Sequence, residues 1–372
     1  MSHPKPFHIA LFIPSLAGGG AERVTLNLAR GLIAAGVRTD IVVGQAKGPY
    51  LKDVPKDARL INLNATRTIT SLWPLSRYLR NDRPDGLISA LDHANVVALL
   101  AVALSRTKIP VVVATHMHLS SVSRRQAFGK AQLDRWLQRL TYPWALAVVA
   151  VSNGVAEDMA RRFGWVVSDI RVIYNPVIDG DLLVGAQQTP PHPWFTNADR
   201  PVIIAVGRLT EQKDFSTLLD AVALLKDQSA ARLIILGEGE DREKLKRLIA
   251  ELGLQDIVDM PGFAINPFSY MRHASVVAMS SRWEALPTVL IEALACGVPV
   301  VSTDCPAGPS EVLANGKYGK LVPMGNPAAM ASALLEALKK SSRPPAESWQ
   351  PYMIEKATRE YLGLFQTVPA TN

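Results

Sequence analysis

The chain has 372 residues, of which 48% are hydrophobic, 20% charged and 6% aromatic, which excludes disordered, collagen-like and disulfide-stapled miniprotein classes and suffices for two ordinary domains. Lys and Arg number 40 against 33 Asp and Glu, a formal charge of +7 that points to an anionic partner such as phosphate, a lipid headgroup or nucleic acid. Cys296 and Cys305 make no disulfide framework and no secretory leader pattern is visible. The longest apolar run, Ala94–Leu104, is well short of the roughly 20 residues that span a bilayer, so a reducing, cytoplasmic setting without a transmembrane helix is expected.

In chain order, a strand is expected over His8–Ile13, then a Gly-rich turn and a helix whose Val24, Leu28, Leu32 and Ala35 form one face before Gly36 stops it. Further buried-strand runs fall at Asp40–Gly44, Gly86–Ser89, Pro110–Thr115, Leu146–Ser152 and Arg171–Tyr174, with helix-length segments between them, the pattern of a parallel sheet covered on both faces. The stretch 185–201, rich in Pro, Gln and Asn, has no periodicity and reads as a domain boundary. The alternation then restarts with strands at Pro201–Gly207, Ala231–Gly237, Ser275–Ser280 and Val298–Thr303 and helices at Phe215–Lys226 and Asp241–Leu252. The expected fold class is α/β, with two Rossmann-like doubly wound parallel-sheet domains, 1–184 and 185–348, facing a cleft that receives ligand at the carboxyl ends of the strands. Charge divides unequally between the halves: residues 1–184 hold 22 basic and 13 acidic side chains, and residues 185–372 hold 18 and 20.

Three segments carry candidate chemistry. The turn after the first strand, Ser15–Arg23, contains Gly18, Gly19 and Gly20; Arg23 stands where a dinucleotide fingerprint needs its third glycine, but three glycines still let backbone approach a ligand at a helix start that favours anions. In GRLTEQKDF, Arg208 and Lys213 follow a strand, and a guanidinium with an ammonium on one loop suits a diphosphate. In the segment Ser280–Thr303, Pro287 opens a helix that Gly297 ends, which puts Glu284 in the preceding loop and Glu292 within the helix. Eight residues apart on one helix, the two carboxylates would differ by about 80° in direction, whereas with Glu284 in the loop they can converge. The amides of Thr288 to Leu290 would then face a phosphate.

Taken together, SLAGGGAER, VVATHMH (Val112–His118), VAVSNGVAEDM, VIYNPV, GRLTEQKDF, LGEGED and the E-x7-E of Glu284 and Glu292 resemble glycosyltransferase family 4 over nearly the whole chain. The resemblance implies a retaining, metal-independent enzyme of the two-domain GT-B fold, taking a nucleoside diphosphate sugar as co-substrate and needing no cofactor. It implies that Arg208 and Lys213 bind the donor diphosphate, Glu292 the ribose and Glu284 the hydroxyls of the transferred sugar. Leu286 and Thr288 would line the donor site, the Gly18–Gly20 loop would border donor and acceptor, and His116 would lie beside the reacting sugar. Catalytic roles fall to His116, Arg208, Lys213 and Glu284. Ala285 departs from the usual glycine after Glu284. STDCPAGPSEVL (Ser302–Leu313) resembles versions that use uridine diphosphate sugars in surface-polysaccharide or lipid-linked glycan assembly. The last helix in similar proteins crosses back onto the N-terminal domain, so Trp349–Asn372 is assigned there.

The expected activity is transfer of a hexose or N-acetylhexosamine to a glycan or lipid-linked acceptor. A nucleotide-sugar epimerase and a catalytically silent binding scaffold are the alternatives. Asp179-Gly180-Asp181 is read as a turn, and His116-x-His118 lacks a third ligand, so no metal is expected. No nucleic-acid recognition motif accompanies the basic residues. The segment Ser123–Trp144 combines Leu133, Leu137 and Leu140 with Arg124, Arg125, Lys130, Arg135 and Arg139 and with Phe128, Trp136, Tyr142 and Trp144. It reads equally as a helix on an anionic membrane surface and as a core-packed helix with a solvated basic face.

Overall fold

A computed structural model of the chain describes residues 6–116, 128–196, 200–340 and 343–366, with no side chains described for 128–131. It divides into two compact units, Met1–Pro176 with Ile354–Asn372, and Val177–Met353.

The first unit is built on strands β1 (His8–Ile13), β2 (Arg38–Val43), β3 (Arg59–Asn62), β4 (Gly86–Ala90), β5 (Val111–Thr115), β6 (Ala147–Ala150) and β7 (Ile170–Val172). They form one parallel sheet in the order β3-β2-β1-β4-β5-β6-β7, with Leu11 of β1 in register with Ile41 of β2 and Ile88 of β4. Every residue of β1, β4 and β5 is buried, as layers on both faces require. The intervening helices are α1 (Gly20–Ala34), α2 (Leu72–Asp82), α3 (Asp92–Ser105), α4 (Phe128–Thr141) and α5 (Asn153–Phe163). Helix α1 buries Val24, Leu28 and Leu32, and Gly36, at φ 77°, ends it. The C-terminal helix, Ile354–Gln366, packs on this unit. A Cβ on Gly31 of α1 would collide with Thr358 and come within 2.8 Å of Ile354, and one on Gly86 would strike Phe365. Ala357, Tyr361 and Phe365 join the β1 core, and full burial of an apolar side chain such as Phe contributes about 1.5–3 kcal/mol.

The second unit has strands β8 (Val202–Val206), β9 (Arg232–Leu236), β10 (Val258–Gly262), β11 (Val276–Met279), β12 (Val300–Thr303) and β13 (Lys320–Val322), parallel in the order β10-β9-β8-β11-β12-β13. Its helices include α6 (Gly180–Ala186), α7 (Phe215–Leu225), α8 (Arg242–Glu251), α9 (Pro267–His273), α10 (Thr288–Ala295) and α11 (Pro327–Lys339). Leu218, Leu219 and Val222 of α7 close the core over Ile203 and Leu233 with Met330 and Leu334 of α11. Both sheets reverse their strand order beside the first strand, between β1 and β4 and between β8 and β11, and such a switch point is where open parallel sheets take ligands.

Two expectations change. The units part between Pro176 and Val177, so residues 177–184 belong to the second unit and the stretch 185–201 is no linker. Asp179 caps α6, accepting the Leu182 N–H at 2.8 Å, while Asn266 of the cap of α9 donates to the Gly185 carbonyl at 2.8 Å. Farther on, His192 Nε2 lies 2.9 Å from Asp259 Oδ2, with its ring edge-on to Trp194 and Tyr270. The unit also closes at its own ends: Val177 and Ile178 donate to the Tyr352 carbonyl at 2.9 and 3.1 Å. Three strands, β3, β10 and β13, had no sequence counterpart. Each is short and edge-placed or interrupted: β3 is largely exposed, β10 contains Pro261 and Gly262, and β13 has three residues.

Candidate active site

In the second unit the predicted donor residues gather at the switch point. The chain leaves β8 through Gly207 and Arg208 and leaves β11 through Ser280 to Glu284. Lys213 Nζ donates to Glu284 Oε1 at 2.6 Å, and Ser281 Oγ donates to the same oxygen at 2.7 Å. The Lys213 and Glu284 side chains are only 17% and 9% exposed, so their charges meet in a largely dry setting where an ion pair is stronger than in water.

The two loops are laced together. Arg282 N–H donates to the Gln212 carbonyl at 2.8 Å, Gln212 Nε2 to the Trp283 carbonyl at 2.9 Å, and Ser280 Oγ to the Lys213 carbonyl at 2.8 Å. Asp214, buried and left-handed at φ 46°, accepts from Thr217 Oγ1 and Arg282 Nε, both at 2.9 Å. These bonds fix the main chain on either side of the Lys213–Glu284 pair. Lys213 has a further means of support, because a Cβ on Gly207 would stand only 3.1–3.3 Å from its stem. The lysine lies back along the strand exit, and a side chain at position 207 would press on that path.

Arg208, next in sequence, is exposed. Its loop is held by backbone alone: Leu209 N–H donates to the Glu238 carbonyl at 2.9 Å, and Asp241 N–H to the Leu209 carbonyl at 2.9 Å. A Cβ on Gly237, at φ 143°, would collide with the Gly207 carbonyl, and one on Gly239 with Leu209. The glycines of LGEGED therefore permit the close approach that positions the arginine's loop.

Helix α10 follows Pro287, which sits at its N-cap, and Gly297, at φ 73°, lies past its end. Glu292 is buried in the helix and Leu286 in the loop before it, while Thr288 is half-buried at the first helical position. One expected donor is lost: the Leu290 N–H is spent on the Pro287 carbonyl at 3.1 Å, leaving Thr288 and Val289 at the helix start. Gly308, at φ 93°, packs over this turn, where a Cβ would come within 3.1 Å of the Ala285 carbonyl and 2.5 Å of Pro287. Burial pushes the Cys305 thiol well above its usual range, and the neighbouring Glu284 charge adds to this.

In the first unit, Gly18 takes φ 99°, Gly19 is the N-cap of α1 and Gly20 its first residue. Glu22 folds back so that its carboxylate would meet a Cβ on Gly19, whereas Gly20 has open space around it. The positive end of α1 is thus already faced by a carboxylate of its own chain. His116 follows β5 half-buried; its Nδ1 is enclosed without a hydrogen-bond partner among the described residues, and burial lowers its pKa to about 4, so the ring is neutral at pH 7. His118 lies outside the described residues, as do Ser123, Arg124 and Arg125.

Sequence reasoning missed the polar cluster beside His116. Asp92, at the start of α3 after β4, accepts from Thr115 Oγ1 at 3.2 Å and from the Tyr142 hydroxyl at 3.4 Å. Asn95 Nδ2 reaches both the Ala114 carbonyl at 3.0 Å and the Tyr142 oxygen at 3.2 Å. Burial pushes the Asp92 carboxyl up to about 6 against the pull of Thr115 and the Arg162 charge. Leu91, just before it, is held at φ 80°, a conformation that costs a non-glycine residue about 1–3 kcal/mol. The available signal was a lone carboxylate directly after a buried strand, in GLISALD. As for the discounted motif, Asp179 serves as a helix cap. Among the described residues no three His, Cys, Asp or Glu side chains cluster as metal ligands.

Comparison with known proteins bears on the family and the fold. A model described as Glycosyltransferase Family 4 matches residues 18–179, and one described as Glycosyl transferases group 1 matches residues 188–356. A lipopolysaccharide 1,6-galactosyltransferase of Salmonella typhimurium is 32% identical over 272 residues, covering 71% of this chain and 68% of its own. The N-acetylgalactosamine-N,N'-diacetylbacillosaminyl-diphospho-undecaprenol 4-alpha-N-acetylgalactosaminyltransferase of Campylobacter jejuni is 28% identical over 344 residues, covering 89% and 90%. The crystal structure of Anabaena HepE in complex with UDP-glucose matches the fold with a TM-score of 0.80 at 20% identity, covering 97% of this chain and 100% of that one.

Proposed function

Since the chain belongs to glycosyltransferase family 4 and has the GT-B fold, we propose that it moves a hexose or N-acetylhexosamine from a uridine diphosphate sugar to a glycan or lipid-linked acceptor in cell-surface polysaccharide or lipopolysaccharide assembly. The observation that carries this reading is the Lys213–Glu284 pair, locked by Ser281 and by the laced loops at a switch point, with Arg208 exposed on the same strand exit. An ammonium has three N–H donors and Glu284 takes one, so two remain for diphosphate oxygens. Glu284, an acceptor-only carboxylate, suits sugar hydroxyls, and Glu292 the ribose. The names of relatives that act on lipopolysaccharide and on a diphospho-undecaprenol glycan support the acceptor class, and the UDP-glucose bound by HepE supports the donor class.

The reaction proceeds with retention and without a bound metal. As the anomeric C–O bond breaks, electrons pass to the leaving diphosphate oxygen, where Arg208, Lys213 and the α10 amides meet the growing charge. The same oxygen takes the proton of the acceptor hydroxyl as that hydroxyl bonds to the anomeric carbon on the face the diphosphate leaves. Neutral His116 is fit to accept or donate one hydrogen bond beside the sugar.

A thermal-shift screen with uridine, guanosine and adenosine diphosphate sugars, followed by product analysis with candidate acceptors, tests the proposal. A melting-temperature rise with one uridine diphosphate sugar and a glycosylated product are expected. No response to any donor refutes the reading, and interconversion of the donor sugar without an acceptor would reassign the protein as an epimerase.

A further inference from the structure

Helix α4 (Phe128–Thr141) is built inside out. Its inward side buries Gln138 and Thr141, followed by Tyr142, whereas Leu133, Trp136 and Leu140 stand 55%, 58% and 47% exposed, and Trp144 beyond the helix is 55% exposed. At about 100° per residue, Leu133, Trp136 and Leu140 fall within about 60° of one another, and Arg139 and Arg135 follow on one flank. Both arginines are exposed. The buried contacts explain why the helix holds this orientation: Tyr142 is tied to Asn95 and Asp92 and lies against the rings of Phe163 and Trp165. Of the sequence stripe, Leu133 and Leu140 therefore face away from the core, and Leu137 is half-buried between the two sides.

Apolar side chains are also exposed near the start of α2. Helix α3 packs between α2 and α4, and at the start of α2 the exposed side chains are Ile69 (58%) and Trp73 (70%), with Arg67 and Arg77. The stretch of sequence 66–140, from which α2, α3 and α4 are drawn, contains eleven Lys and Arg against four Asp and Glu, most of the first half's surplus. Exposed Trp and Leu bordered by Arg match the interfacial zone of a bilayer, where rings and aliphatic groups enter beneath the headgroups and guanidinium groups meet phosphate.

We propose that this surface docks on an anionic lipid bilayer, with Leu133, Trp136, Leu140 and Trp144 entering the interface and Arg135 and Arg139 at the headgroups. As a statement of where a lipid-linked acceptor is met, this rests on the transferase reading; as a statement about lipid binding it does not, and the two are measured apart. The full chain is sedimented with vesicles of equimolar phosphatidylglycerol and phosphatidylcholine, and with phosphatidylcholine alone, without donor or acceptor. Binding to the anionic vesicles that weakens in high salt is expected. A Trp136→Gln/Leu140→Gln variant should bind about tenfold more weakly, and Arg135→Gln or Arg139→Gln about fivefold. Because these side chains are exposed, the variants should keep the parent melting curve, which separates lost docking from lost fold. No binding to anionic vesicles at low salt, or undiminished binding by the Trp136→Gln/Leu140→Gln variant, overturns the proposal. So does a concentration-dependent dimer that this variant abolishes, which would assign the face to a second copy. Donor-induced thermal shift is recorded on the parent chain and on the same variants; a donor shift in a parent chain that does not bind anionic vesicles would sink the docking proposal while sparing the transferase.

Discussion

The switch points of the two sheets are built on different physics. In the second unit, charged and polar groups are paired with one another across loops that belong to β8 and β11, and Lys213 and Glu284 have little freedom left. In the first unit the charges are suppressed instead: Asp92 and His116 are each driven toward their neutral forms by burial, and Gly20 faces open space. The contrast teaches that one switch point neutralises its charges by pairing them, while the other holds ionisable groups whose charged forms burial disfavours. Under the proposed function, a diphosphate sugar suits the former and the acceptor the latter.

The strongest way to break that comparison is Lys213→Ala. It should lower kcat about 10²–10³-fold with a smaller change in KM, and leaving Glu284 without its cation should cost about 1–3 kcal/mol of stability by chemical unfolding. An intact kcat with only a raised KM would show that the pair binds ligand without serving the reaction. Next in size is Gly31→Leu, which drives a side chain into Thr358 and Ile354 and should destabilise the first unit by about 1–3 kcal/mol. Normal stability in denaturant would mean that the C-terminal helix is not packed as described.

A third test sharpens the contrast through pH. The folded pKa of Asp92 is raised from 3.8 to about 6, so the folded state keeps a proton that the unfolded chain releases, and this contribution to stability falls as pH rises across that window. The folded pKa of His116 is lowered from 6.5 to about 4, so the unfolded chain takes up the extra proton and stability falls as pH drops. The two oppose each other in the native protein. Relative to it, His116→Gln should gain stability on acidification from pH 6.5 to 4, and Asp92→Asn should lose it. Parallel melting curves for all three proteins across the range would contradict the burial-driven shifts of both groups. The smallest effect is expected of Gly20→Ala: with nothing within 4 Å of the added methyl, stability should change by less than about 1 kcal/mol, and any loss of turnover then reports on acceptor approach.

How much of this could be read from the chain depends on separation. Buried strands such as HIALFI and VIIAV announce themselves because both faces are covered, whereas RLIN and KLV, at sheet edges, lack a two-sided apolar run. Glu284 and Glu292 were visible as a spaced pair, but the bonds that hold Glu284 come partly from Lys213, 71 residues earlier, and no local pattern reports them. Thr115 and Tyr142 converge on Asp92 across 23 and 50 residues for the same reason. In α4 the periodicity showed a stripe but not its direction; only the burial of Gln138 and Tyr142 resolved that.

The return of the chain at Ile354 has a topological consequence. The second unit is an insertion: it enters at Val177 and leaves at Met353, and Tyr352 bonds the residues at its entrance. Its two ends are neighbours, so residues 177–353 have the close termini of domains that tolerate insertion into another chain. The first unit, by contrast, is split in the gene and complete only after the last helix has been synthesised. Removing the helix Ile354–Gln366 therefore damages the core around β1, at the other end of the sequence.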